Sequence, residues 1–415
     1  MRARLALLAA LVLVAGCSSR ERLNPFDLRN PYTRGRPEGF VALADDAQVR
    51  LEWQPETGSD LAGFQVYRQL GGIGPFVSIT GVLSSLTSSF TDRGLANGVD
   101  HAYRLVFVFR SGEGSAPAEA IATPGPLRPW VADFGAGVLA RITADGRHVL
   151  SRVRGFDSPS GVAVDAATRK VWFTDTGGGS LILYDPSGTS QPLSIYVSGQ
   201  PGAVVTDSVD HTAWACEPEQ GRLFHFNDGG LEASPTIGLI DRPIGIARLP
   251  SDRSVVVCER GGNRLRRFAS DGTPLWGVPL TAPSRVAVDS STLELWVTSF
   301  DLGRVVRLSA AGVALDSVGG FDGPIGVAVD ARRGRIWVAD ARAGELVALT
   351  RGGAVVLRVS GLSEVREVAV DPASGDVWAT VPGAKAVVRV TADGTRRWQA
   401  GGLSLPDGIA LDPGR

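Results

Sequence analysis

Histidine, cysteine and lysine are scarce. Among 415 residues there are four histidines and three cysteines, and the only lysines are Lys170 and Lys385. Three cysteines cannot build a disulfide framework. Almost all positive charge is therefore arginine, and imidazole chemistry has few candidates. Excess charge of one sign is also missing. With 42 basic and 43 acidic residues the formal net charge is −1, which argues against nucleic acid as a partner. Helical periodicity of 3.6 residues is absent beyond the N-terminus. So are the G-x-S-x-G elbow, H-E-x-x-H, and a glycine-rich phosphate loop with lysine. What is there is glycine, 52 residues, and nine tryptophans in a chain that is 44% apolar and 20% charged. That composition belongs to a folded globular protein. Many glycines with spaced tryptophans point to tight turns in a repeated element.

The N-terminus reads as an address. Arg2 and Arg4 precede an apolar run over residues 5–15, too short to span a bilayer core of about 30 Å as a helix. Val14-Ala15-Gly16-Cys17 follows. This is a secretory signal over residues 1–16, and its ending resembles the lipobox of bacterial lipoproteins. The resemblance implies cleavage before Cys17, lipid on Cys17, and a membrane-anchored protein of the cell envelope. Ser18 and Ser19 follow without an aspartate, which in that family resembles sorting to the outer membrane. An ordinary signal peptide with a chance cysteine is the alternative. Residues 17–36 are polar, with the turn pairs Asn24-Pro25 and Asn30-Pro31, and read as a tether.

Residues 37–125 contain short alternating runs. Val49-Arg50-Leu51-Glu52-Trp53, Phe64-Gln65-Val66-Tyr67-Arg68 and Tyr103-Arg104-Leu105-Val106-Phe107 alternate with period two, as strands of a β-sandwich do. Leu51-x-Trp53, Asp60-Leu61-x-Gly63-Phe64-x-Val66-Tyr67, Phe90-x-Asp92 and Leu95-x-x-Gly98 resemble a fibronectin type III domain. His101 stands where that family carries its corner tyrosine. The domain reads as a spacer, with glycan or protein binding as the alternative.

Residues 126–415 repeat. Trp130, Trp172, Trp214, Trp296, Trp337 and Trp378 recur, with Val256 filling the gap, at steps of 42, 42, 42, 40, 41 and 41. Gly146, Gly188, Gly230, Gly272, Gly312, Gly353 and Gly394 keep the same steps. Pro159, Pro201, Pro243, Pro283, Pro324 and Pro406, with Val365 in the sixth slot, lead each unit. Each unit reads as four short strands; in the one that opens at Pro324 they are 326–330, 335–340, 345–349 and 354–359. Asp-Gly at 145–146, 271–272 and 393–394 predicts type I′ hairpins. Four strands per unit of about 41 residues predicts a β-propeller blade. The first unit starts at its second strand and the chain ends on a first strand, so the two halves complete one blade. The whole is all-β: a sandwich followed by a seven-bladed propeller closed by the C-terminal strand. Pro-x-Gly-Val-Ala-Val-Asp followed by Trp-Val-Ala-Asp, as in residues 324–340, resembles the NHL repeat and the streptogramin-lyase type of propeller. That resemblance implies a fold more than a function.

Acids that recur in every unit, such as Asp133, Asp175 and Asp330, read as turn caps. Cys216 and Cys258 occupy equivalent slots and read as small buried fillers. Deviations say more. Two residues after the leading proline stand Gly161, Ala203, Gly245, Gly326 and Gly408, but Arg285 and Glu367 in two units; one residue earlier stand Arg366 and Asp407. These slots fall at the mouth of a propeller's channel, where Arg285, Arg366, Glu367 and Asp407, with Arg242 on a loop of the same face, form a candidate ligand site. Arg260, Arg264 and Arg342 add positive loops there. The alternative is a set of salt bridges plugging the channel. The expected function is lipid-anchored binding or scaffolding of an envelope protein, peptide or glycan, without a cofactor. A metal-assisted lyase or hydrolase is the second reading, and a purely structural component the third. Streptogramin lyases carry a channel-facing histidine with a glutamate and a metal. His148, His211 and His225 supply no matching pair.

Overall fold

The computed structural model describes residues 24–30, 32–395 and 397–414. The apolar run over residues 5–15, the cleavage site and Cys17 lie outside them. The chain divides into two compact units, one made of residues up to Leu43 with Ala47–Pro124, the other of Ala44–Asp46 with Gly125–Arg415. Among the described residues the only helix is a single 3-10 turn, Pro382–Ala384.

The smaller unit holds two antiparallel sheets. One pairs Val41–Asp45, Gln48–Glu52 and Ser89–Arg93, and the other is built on the long strands Leu61–Leu70 and His101–Phe109. Alternation buries Val49 and Leu51 from the first, and Phe64, Val66, Leu105 and Phe107 from the second. Trp53 meets Phe64 at 5.6 Å between ring centroids, so aromatic packing joins the two sheets. The buried hydroxyl is supplied by Tyr103, two residues beyond His101: it donates to Asp92 at 3.0 Å, and Arg68 grips the same carboxylate at 2.8 Å. Within the stretch read as a tether, the described residues from Asn24 to Thr33 make local contacts. Asn30 Nδ2 donates to Asn24 O and Thr33 Oγ1 to Pro25 O, and Phe26 packs edge-on against Phe107 at 5.0 Å.

The larger unit is a succession of seven antiparallel sheets. The first comprises Arg128–Asp133, Val138–Ile142 and Val149–Arg154, and its remaining strand comes from the other end of the chain. Pro406–Asp412 pairs with Arg128–Asp133, Ala410 facing Trp130. The sixth sheet (Pro324–Asp330, Arg335–Asp340, Glu345–Thr350, Val355–Ser360) matches the sequence reading to within two residues. Middle strands such as Val171–Asp175 and Leu295–Ser299 are buried along their full length. Both of their faces lie against other sheets, which is why they read as unbroken apolar runs rather than alternating ones. The six repeated tryptophans are at most 2% exposed. Each removes on the order of 200 Å² from water, roughly 5 kcal/mol at 25 cal/mol per Å².

Two details differ from the sequence reading. In the Asp-Gly hairpins only the glycine takes positive φ, 77° at Gly146 and 89° at Gly272. Gly146 N donates to Thr143 O at 2.9 Å, and pairing shifts register between Arg141 and Ile142. This is a type I turn closed by a left-handed glycine and a bulge, not a type I′ turn. The third sheet has three strands, Val204–Asp207, Thr212–Glu217 and Arg222–Asn227. In place of a fourth, the chain touches back through the isolated bridges Leu223–Ile237 and Phe226–Glu232 and a few single hydrogen bonds such as Ala233 N to His225 O. Pro235 lies between those bridges and has no N–H to give a ladder.

Candidate functional site

The first strands of neighbouring sheets contact one another in a closed circuit, the last of them, Pro406–Asp412, touching Pro159–Val164. After the leading proline most of these strands slip register, between Pro283 and Val286 and between Pro324 and Val327 for instance. That bulge brings backbones of adjacent sheets together. A Cβ at Gly326 would lie 2.4 Å from Arg366 O, and one at Gly408 only 2.1 Å from Ser160 O. Glycine is required there by close approach. Threonines two residues after a tryptophan stitch the same place: Thr298 Oγ1 accepts from Arg285 N at 3.0 Å and donates to Ile325 O at 2.6 Å. Thr380 does the same between Glu367 N and Asp407 O.

The circuit surrounds a cavity of about 530 Å³. Arg285, Arg366, Glu367 and Asp407 all line it. Arg285 Nε donates to Glu367 Oε1, reaching past the first strand of the intervening sheet. Its Nη1 donates to Ile244 O at 2.6 Å. Arg366 Nη1 donates to Asp407 Oδ1 at 3.0 Å. Burial works to lower the Arg285 pKa, but attraction from Glu367 and then Asp407 overrides it and holds the guanidinium above its ordinary value. Burial also pushes the Glu367 carboxyl up, against the pull of Arg285. Arg242 is not brought into the cavity. Its side chain is exposed, and its carbonyl accepts from Arg260 N at 3.1 Å.

The other loop arginines are engaged. Arg264 is paired with Glu259 at 2.6 Å and Arg260 with Asp301 at 3.3 Å. Arg260 and Arg342 both stand over the Phe300 ring, at 5.5 and 4.4 Å. Phe300 and Phe134 line the cavity, each four residues beyond a repeat tryptophan. That offset, compared across units, was the signal that could have found them. Ser284 also lines it, and its buried Oγ has no hydrogen-bond partner.

Of the recurring acids, Asp133 accepts from Ser404 N and Leu405 N, and Asp175 from Asp157 N and Ser158 N. They fasten the chain entering the first strand rather than their own turn. Asp330 accepts from Arg333 N as a local cap. Cys216 and Cys258 are fully buried free thiols, and burial pushes Cys216 up to about 12. No histidine is among the cavity's lining residues. His225 lies in the third sheet, stacked on Trp214 at 4.0 Å. His211 Nδ1 sits 2.8 Å from Asp165, and His148 follows a hairpin turn.

No family model and no curated protein matches the chain's sequence. Solved structures do match its shape. A catalytically inactive variant of virginiamycin B lyase from Staphylococcus aureus with quinupristin shares 16% identity over 69% of this chain and 97% of that one, at a TM-score of 0.55. A functionally unknown protein from Desulfotomaculum acetoxidans shares 14% over 68% and 98%, at 0.58. A protein from Lactobacillus plantarum shares 11% over 68% and 98%, at 0.60. The fold is a β-propeller. At these identities the likeness is one of fold and carries no activity with it.

Proposed function

We propose that this chain is a lipid-anchored binding protein of the cell envelope, sorted to the outer membrane in the manner its post-cysteine serines suggest, whose propeller captures a partner at the channel mouth. In this reading the seven sheets are blades of a seven-bladed ring spanning residues 126–415. Residues 37–125 are a fibronectin type III-like spacer, and Cys17 carries the lipid. One observation carries the binding assignment: a 530 Å³ cavity lined by Arg285, Arg366, Glu367 and Asp407 together with apolar side chains. Its volume lies within the range of about 300–1,000 Å³ typical of ligand sites. A protein, peptide or glycan are the partner classes it fits. Binding is preferred to a metal-assisted lyase or hydrolase because the charged groups at the cavity's first strands pair arginine with acid, as Arg285 with Glu367 and Arg366 with Asp407, and no histidine lines it to shuttle a proton.

The test is crosslinking in the native host, comparing the wild-type chain with Arg285→Ala/Arg366→Ala after thermal unfolding has shown the variant to be folded. Loss of the captured envelope partner is expected. Undiminished capture would move the function away from this face. Separately, mass spectrometry of the mature N-terminus is expected to find acyl chains on Cys17, and an unmodified Cys17 would remove the anchor from the proposal.

A further inference from the structure

We propose that the cavity takes the C-terminal carboxylate of a peptide whose last residue is apolar, held by Arg285, Arg366 and the hydroxyl of Ser284. This rests on the channel-mouth reading above and adds the chemistry of the occupant.

The first argument is asymmetry. Around the circuit the two slots after the leading residue are mostly small or apolar, but charge collects on one side at Arg285, Arg366, Glu367 and Asp407. The second is an unmet hydroxyl. Ser284 is 2% exposed and its Oγ has no partner. The equivalent Ser160 Oγ is satisfied by Thr174 at 3.0 Å and Thr176 at 2.7 Å. A buried hydroxyl left without a bond is unfavourable, and because Ser284 lines the cavity, rotation of its side chain toward it would let a ligand oxygen complete the missing bond.

The third argument decides the sign of the ligand. A guanidinium has five N–H donors in a fixed fork suited to carboxylate. Arg285 commits Nε and Nη1 to protein acceptors, and its Nη2 makes no protein hydrogen bond. Arg366 commits only Nη1. The arginine side chains also show more of their surface, 27% and 44%, than the Glu367 and Asp407 they pair with, 19% and 18%. Within these two pairs the spare donors are therefore more open than the acceptors; the exposed carboxylate of Glu219 also lines the cavity. Glu367 can compensate the incoming charge by taking up a proton, since burial already favours its neutral form. The groups that face it are Arg285 from the fifth sheet, Arg366 beside it and Asp407 from the closing strand. For the apolar body, Ile244, Ile325 and Phe300 line the same cavity. A salt-bridge plug, the rival account, has no use for the unmet Ser284 or the free Nη2.

The experiment is isothermal titration of the full chain, solubilised in detergent, with acetyl-Ala-Ala-Leu, its C-terminal amide, the amide with a free N-terminal amine, and acetyl-leucine. The free acid is expected to bind saturably and the acetylated amide at least about 10-fold more weakly, the scale of one charge-assisted hydrogen bond. Acetyl-leucine is expected to bind more weakly than the tripeptide. Ser284→Ala, which opens no large cavity, is expected to weaken the acid several-fold with an unchanged unfolding temperature, and Arg366→Ala to weaken it about 10-fold. Titration in two buffers of different ionisation enthalpy is expected to show proton uptake on binding. Equal binding of acid and amide, preference for the amine probe, or an unaffected Ser284→Ala would overturn the inference. If no probe binds while the Arg285/Arg366 variant still loses its partner, the carboxylate falls and the channel-mouth function stands. If capture also persists, both fall.

Discussion

His225 stacks flat on Trp214, 4.0 Å between centroids and 10° between planes, while its Nδ1 meets Ser234 Oγ at 3.0 Å. Burial depresses its pKa from 6.5 to about 4, with Asp207 opposing weakly. The sign follows. As pH falls through 6.5 the unfolded chain binds the proton and the folded one does not. The folded state is therefore at full strength above about pH 6.5 and loses stability progressively toward pH 4. Relative to pH 7, the loss at pH 4.5 from this residue is on the order of 2–3 kcal/mol. His225→Phe keeps the stack and removes the proton. Urea unfolding at the two pH values is expected to show a smaller acid loss in the variant than in the wild type. Equal losses would mean His225 is not the residue responsible.

Among the elements, the hairpins show how one residue sets a turn. Asp145 Oδ1 accepts from Arg147 N at 3.2 Å, so the aspartate works by its side chain while Gly146 alone takes the left-handed conformation. The extra residue becomes a bulge and tightens the strand twist. The third sheet is the exception among these elements. Its outer position is held by Ala233 N to His225 O and Ile237 N to Leu223 O, on either side of Pro235, and Leu239 is 94% exposed. Weakly laddered, exposed segments open at low free energy. Amide exchange over residues 228–240 is expected to run at least about 10-fold faster than over Ala314–Gly319 or Val355–Ser360. Equal protection would show that the irregular segment is as firmly held as a complete strand.

For the larger unit as a whole, stability rests on closure. Pro406–Asp412 fills the pairing edge of Arg128–Asp133, buries Ile409, and carries Asp407 to Arg366. Ending the chain at Leu405 would leave an open strand edge, a template for association. Loss of several buried side chains and a full ladder is expected to lower the unfolding temperature by roughly 10 °C or more and to produce oligomers. Calorimetry and size-exclusion chromatography check both. A truncated chain that stays monomeric with an unchanged transition would mean the closing strand is dispensable.

The period was legible in the sequence because each unit must bury the same groups. A tryptophan, a left-handed glycine and a strand-leading proline each answer a local requirement that recurs. Arg285, Arg366, Glu367 and Asp407 were legible as departures from that period, since a charge in a glycine slot has to face open space. The sequence could not say which acid each arginine takes. Arg285 bypasses the intervening first strand to reach Glu367, and that depends on how closely three first strands approach. Arg242 shares a face with the cavity by sequence, yet a left-handed backbone, φ 55°, accompanies its exposed position outside it. Ser284 looked ordinary beside Ser160. Where Ser160 bonds Thr174 and Thr176, the matching positions beside Ser284 are Thr298 and Phe300, and only the packed structure shows that Thr298 is taken up by Arg285 N and Ile325 O and leaves Ser284 Oγ without a partner.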